Sequence, residues 1–337
     1  MNFKIDIVVS WVNSNDQKWQ AKMNHQLQLM GKEQLMIGEE RYYEFGFFKY
    51  WFRSIEKFAS WINHVYVLTD DQRPEFFKET DKVTVVDHTE IIPKEYLPTF
   101  NSNVIELFLD KIPGINEHFI YFNDDVFLNA PVLPADFFDI NGLPKDCAIP
   151  SVLQPVGNFD HLPFNDIQII NHYFPKKIVM KKYGKKFFSV KYGIANIFKS
   201  ILTLPFSNWS TFKIQHIAHS LRKEDYQLLR KYAKNEIETT AKMHFRSNSD
   251  ISIWLILELR YMTGKFSPRS VKDGAYYNFD GIDSLIGCLK KGKIKQVCIN
   301  DVSESKTLAE KIIDADRIKK MLESKFPEKS MVEREEF

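Results

Sequence analysis

Short apolar runs and helical stripes alternate through the first part of the chain. KIDIVVSWV (residues 4–12) is rich in β-branched residues and predicts a buried strand. NSND follows with turn chemistry, and residues 16–36 predict a polar helix. Residues 41–61 predict a helix with a heavy aromatic face. HVYVLTD (64–70) and DKVTVVDH (81–88) predict two more strands. NSNVIELFLDK (101–111) predicts a helix with Asn101 or Ser102 as N-cap, and HFIYFNDD (118–125) a strand that ends in acids. Strand and helix in alternation predict an α/β fold, a Rossmann-like, mainly parallel sheet flanked by helices. In such sheets ligands bind beyond the carboxyl ends of the strands. Ser10–Asp16, Thr69–Asp71 and Asn123–Asp125 place polar residues there.

From residue 151 the texture changes. Residues 167–223 contain no Asp or Glu but eleven Lys or Arg. Within them IANIFKSIL (194–202) puts Ile194, Ile197, Phe198, Ile201 and Leu202 on one helical face. This stretch is too apolar for a linker and predicts a basic, mostly helical insertion. After 216 the pattern returns to helix, then to a strand QVCIND (296–301), then to an amphipathic helix over 303–325 ended by Pro327. The expected organisation is an α/β part over 1–150 and a basic aromatic insertion over 151–215. The remainder of the α/β domain follows over 216–302, then a helical tail over 303–337.

Composition narrows the picture little. The hydrophobic share of 44% fits a globular chain, and the net charge of +2 argues against nucleic acid as partner. The 28 Phe are read mainly as core. The three cysteines lack CxxC spacing, which argues against a disulfide framework or zinc site and favours a reducing compartment. The N-terminus reads as a strand and not a signal peptide, and no apolar run approaches the ~18–20 residues that span a bilayer. A cytoplasmic or peripheral protein on the inner membrane face is expected.

Several clusters carry chemistry. Asn123-Asp124-Asp125 closes an apolar strand, and adjacent acids there suit Mg2+ or Mn2+ bound with a diphosphate. The plain alternative is an acidic turn that caps the next element. Asn300-Asp301 ends another strand and could bring oxygens to the same edge, or be a simple turn. His216 and His219 stand three apart; each can be structural, and a neutral imidazole can also accept a hydroxyl proton. Arg246 could fork onto phosphate oxygens or form an i,i+4 helix pair with Asp250. Ser102 and Glu106 stand one helical turn apart on one face at a helix N-terminus, which suits an anion or sugar hydroxyl, or is an ordinary N-cap with an exposed Glu. The acid-free stretch could face anionic lipid or an anionic glycan, or be a solvated basic face.

Four blocks, in this order, resemble the Stealth family of sugar-phosphate transferases. They are IDIVVSWVNSNDQKW (5–19), the long run from Arg41 to Phe138, QHIAHSLRKEDY with HFRSNSDIS, and VCIND. Asn13 and Asn15 depart from the Asp-Gly often seen in relatives, and residues 151–215 match no family pattern. The resemblance implies a GT-A-like sheet and a UDP-sugar donor whose β-phosphorus is attacked by a hydroxyl of a glycan or lipid-linked oligosaccharide. UMP leaves and a phosphodiester forms, in capsular or other cell-surface polysaccharide synthesis. It further implies Asp125, His219 and Arg246 as catalytic residues, with His216 the second choice of base. Asp124, Asp125, Asn300 and Asp301 would hold Mg2+ or Mn2+. Trp11, Val12, Asn13 and Asp16 would line the nucleotide, and Asn101, Ser102, Glu106, His216 and Asp250 the rest of the substrate. A metal-dependent glycosyltransferase that releases UDP is the main rival reading, and a non-catalytic glycan-binding module the second.

Overall fold

In the computed structural model, which describes residues 1–31, 44–157, 159–303 and 305–336, the first apolar run becomes the centre of a sheet. Five strands form it: β1 (Ile5–Ser10), β2 (Val65–Thr69), β3 (Val83–Asp87), β4 (His118–Asn123) and β7 (His219–Arg222). Between and after them come β5 (Val126–Leu128), β6 (Lys145–Asp146), β8 (Ser267–Pro268), β9 (Gly274–Asn278) and β10 (Gln296–Asn300). The large sheet runs β3-β2-β1-β4-β7. Its first four strands are parallel, and β7 closes the edge antiparallel to β4. The expected mainly parallel α/β sheet is therefore present. The chain moves outward from β1 through β2 to β3 and then crosses to β4 on the other side. The ends of β1 and β4, with Ser10 opposite Asn123, thus form a topological switch point. A small sheet, β5-β10-β9, stands beside it.

Strand alternation divides the core in two. Ile7, Val9, Val67, Ile120 and Phe122 face one side, under helix Phe48–Phe58, the small sheet and helix Leu308–Lys325. The aromatic stripe of residues 41–61 packs here: Trp51 meets Phe52 and Phe122 edge-on at 5.0 and 5.6 Å. The helix starts only at Phe48. Residues 32–36 and 41–43, the ends of two expected helices, lie outside the described residues. Val8, Leu68, Phe119, Tyr121 and Leu221 face the other side, under helix Trp254–Thr263.

Residues 151–215 are mostly helical, as expected, through His161–Tyr173, Lys176–Phe187 and Ile194–Leu202. Ile167, Ile170, Phe187, Trp209 and Phe212 share the second core. The segment is thereby part of the layer over the sheet. Two expectations change. The helix expected over 101–111 is a single turn, Ser102–Glu106, capped by Asn101 and followed by a 3-10 turn Leu109–Lys111. The helix expected after 216 begins only at Lys223, because His219–Arg222 pairs with β4.

Candidate active site

Alternation carries the site residues to one place. Tyr121, Asn123 and Asp125 stand two apart along and just past β4, and so face one way. Tyr121 lies under the site, where its Oη stands 3.2 Å from both Ser10 Oγ and Glu106 Oε1, with one proton to donate between them. Asn123 Nδ2 lies 3.4 Å from His216 Nε2. Asp125 is the hub. Its Oδ2 lies 3.2 Å from His216 Nε2 and accepts from Cys298 Sγ at 3.2 Å and Asn300 Nδ2 at 3.1 Å. Cys298 and Asn300 also stand two apart, on β10, so one face of that strand delivers both. The pairing of Ile299 N to Asp125 O at 2.7 Å fixes β10 against the acid. Asp125 Oδ1, by contrast, is buried without a hydrogen-bond donor.

Charge is concentrated here. Burial raises the Asp125 carboxyl, but His216, Asn300 and Cys298 outweigh it and hold it below the ordinary range. Burial lowers His216, yet the bond and charge of Asp125, with Glu106, leave it raised. Next to Asp125, burial and the charges of Asp125, Glu44 and Asp301 together push the Asp124 carboxyl well above the usual value. A divalent cation would relieve that repulsion. Asp125, His216 and Cys298 offer ligand atoms within 4.8 Å of one another. The orphan Asp125 Oδ1 and the nearby oxygens of Asn300 and Asp301 make this donor set compatible with such an ion.

Helix Ser102–Glu106 forms a second wall. Arg246 is exposed, donates to Ser102 Oγ at 2.8 Å and lies over the Phe159 ring at 4.9 Å. Residues 246–250 are not helical, so the i,i+4 alternative lacks its helix. Asp250 is buried and accepts instead from Asn101 Nδ2 at 2.8 Å, Asn103 Nδ2 at 3.0 Å and Ser247 N at 3.0 Å. It fastens the Arg246 loop to the Ser102 turn. Asn101 is fully buried as cap and anchor. Glu106 is also buried, and its carboxyl is pushed up to about 7 by burial, against the pull of Arg246, Tyr121 and His216.

The two histidines do not act together. His216 reaches the Asp125 cluster from the loop before β7. His219 lies inside β7, and burial pushes its imidazole down to about 3, among the charges of Asp146, Arg269 and Arg260. At the β1 end, Trp11 is buried, stacks on Phe48 at 5.6 Å and donates to Glu44 at 2.9 Å. Val12 packs against the cluster of Trp19, Met23, Leu27 and Phe100. Asp16 caps helix Gln17–Leu29 through Lys18 N and Trp19 N. Asn13 is pinned at its backbone, where Gln72 Oε1 takes its N–H at 2.9 Å and Gln72 Nε2 donates to its carbonyl at 2.8 Å. A cleft of about 410 Å³ opens beyond β2 and β3, lined by Thr69, Asp71, Gln72, Arg73, Asp87 and Glu90.

Similarity to known proteins gives the chain a family. Stealth protein CR2, conserved region 2, matches residues 41–146. Exopolysaccharide phosphotransferase cps2G of Lactiplantibacillus plantarum is 38% identical over 98% of this chain and 97% of its own. The chain belongs to the Stealth family. Other Stealth relatives include a capsular polysaccharide phosphotransferase WcwK of Streptococcus pneumoniae, 38% identical over 98% of each chain. The receptor polysaccharide phosphotransferase WefC of Streptococcus gordonii is 38% identical over 88% of this chain and 90% of its own. Region CR2 spans β2 to β4, the loop to Ser102 and the Asp125 turn. Cys298 and Tyr121 are the site residues that sequence reasoning did not single out, although the two-residue spacing from Asn300 and Asn123 signals both.

Proposed function

We propose that this Stealth protein transfers a hexose-1-phosphate or N-acetylhexosamine-1-phosphate from a UDP-sugar to a glycan hydroxyl. UMP is released and a phosphodiester forms. The observation that carries the reading is the Asp125 carboxylate at the switch point, with one oxygen held by three side chains and the other bare. The names of the relatives, polysaccharide phosphotransferases, support the same class.

Phosphoryl transfer asks for positioning and charge stabilisation and little covalent help. Arg246 offers a guanidinium beside the helix N-terminus at Ser102, which suits phosphoryl oxygens. Asp124, Asp125, Asn300 and Asp301 would hold Mg2+ or Mn2+, hard ions that suit oxygen donors. When bound, such an ion supplies Lewis-acid stabilisation of the diphosphate. Of the two histidines, His216 is the better placed to take the acceptor's proton, since His219 is enclosed in β7. Ser102 and Glu106 face the donor sugar. Asn13 and the cleft beyond β2 and β3 provide the nucleoside side, with Asp16, Asn101 and Asp250 shaping the walls.

Two substitutions test these roles. His216→Ala and Arg246→Ala should each lower UMP release from a UDP-sugar by about 10²–10³-fold, as loss of a proton acceptor or a charge-stabilising donor does. Turnover near the unsubstituted rate in either variant would remove that residue from the mechanism.

A further inference from the structure

The apolar face of helix Ile194–Leu202 does not pack on the protein. Of its nine residues only Ser200 is buried. Ile194 is 87% exposed, Phe198 61% and Leu202 58%, and the exposed Leu204 and Phe206 follow directly. The periodicity of a packing face is thus presented outward.

A lysine-rich helix lies alongside. Lys176 Nζ, at the start of helix Lys176–Phe187, donates to Thr203 O at 2.5 Å and Phe206 O at 3.0 Å. Near the far end of that helix, Lys186 O accepts from Tyr192 Oη at 2.8 Å. These bonds join opposite ends, so the two helices form an antiparallel hairpin. Lys177, Lys181, Lys182 and Lys185 are exposed on one helix, and Lys191 and Lys199 at the other. No acid stands between residues 167 and 223 to neutralise them. The hairpin is tied to the site as well. Tyr192 Oη accepts from Ala148 N at 3.2 Å, and the adjacent Cys147 Sγ reaches Gln215, the neighbour of His216, at 3.9 Å.

We propose that this hairpin seats the enzyme on an anionic lipid bilayer, with Ile194, Phe198 and Leu202 in the interface and the lysines among the headgroups. A bare apolar helix bordered by uncompensated lysines has the two components of interfacial binding, buried apolar area and attraction to anionic lipid. A soluble glycan would use the lysines and leave Phe198 idle. Among the described residues no helix is long and apolar enough to cross a membrane, so this is a surface mode of binding.

The test is co-sedimentation of the full chain with vesicles of phosphatidylcholine alone or mixed with phosphatidylglycerol, at low and high salt. The chain should sediment with the mixed vesicles at low salt, and less as salt rises. The Ile194→Asp/Phe198→Asp variant should lose binding by at least about tenfold, because two inserted side chains become charged. Both positions are exposed, and an unchanged melting curve confirms that the variant is folded. Lys181→Glu/Lys182→Glu/Lys185→Glu should also bind less and show a flatter salt dependence. A wild-type chain that stays in the supernatant with mixed vesicles would overturn the proposal. So would equal binding by wild type and the double aspartate variant, which reports attraction without insertion. Lipid-free dimerisation abolished by the aspartates would assign the face to a second copy of the chain and overturn it too.

Discussion

At the scale of single residues, Asp125 and Glu106 set the chemistry. Asp125 collects three side-chain partners on Oδ2 and leaves Oδ1 bare. Asp125→Asn keeps the volume and removes the charge. It should abolish most turnover, by about 10³-fold, and move the urea midpoint little. A large loss of stability at normal activity per folded molecule would make Asp125 structural. Glu106 makes a pH prediction. Its carboxyl rises on folding from 4.5 to about 7, so between those values the native state binds the extra proton. Stability from this group therefore falls as pH rises through that window and is level above it. Glu106→Gln, which carries no titrating proton, should gain on the native chain as pH goes from acid to neutral. The gain should be on the order of 3 kcal/mol, the shift of about 2.5 units converted at 1.36 kcal/mol each. Parallel denaturation curves across pH for the two proteins would refute this placement.

At the scale of elements, the Asp250 clamp joins the Arg246 loop to helix Ser102–Glu106. Asp250→Ala would leave the buried amide of Asn103 without its acceptor and Asn101 Nδ2 with only the long contacts to Met243 O and Phe245 O at 3.5 and 3.4 Å. Thermal unfolding should show a loss of about 2–4 kcal/mol, and Arg246 should lose its aim, which lowers kcat as well. Elements of this kind divide by how they signal in sequence. β1, β2, β3, β4 and β10 are apolar runs bounded by turn residues, and all five are legible. Strand β7 is not: HSLR is short, polar at both ends, and is a strand only because β4 offers an open edge. That tertiary pairing also separates His216 from His219, which a helix would have kept on one side. The outward face of Ile194–Leu202 shows a further limit. Helical periodicity identifies an apolar stripe but carries no information on whether anything covers it.

At the scale of the whole molecule, the chain closes on itself behind the site. After helix Leu308–Lys325 the last residues return to the first core, where Glu333 bridges to Phe77 and its carboxylate takes two 2.7 Å bonds from Arg53. Both side chains are enclosed. Arg53→Met would strand the Glu333 charge and should cost about 3–5 kcal/mol, read from equilibrium denaturation. The architecture of the site follows the same long-range logic. Its residues come from β1, β4, β10, a single-turn helix and two loops, which only the sheet order assembles. The acidic strand end was legible as a candidate, whereas its convergence with His216 and Cys298 depended on contacts across 91 and 173 residues. The two transfer reactions differ in the bond that breaks. The deciding measurement is nucleotide analysis after incubation of the chain with a panel of UDP-sugars, a divalent cation and a glycan acceptor. Sugar-1-phosphate transfer predicts UMP together with a phosphodiester-linked product, and UDP with a plain glycoside would contradict it.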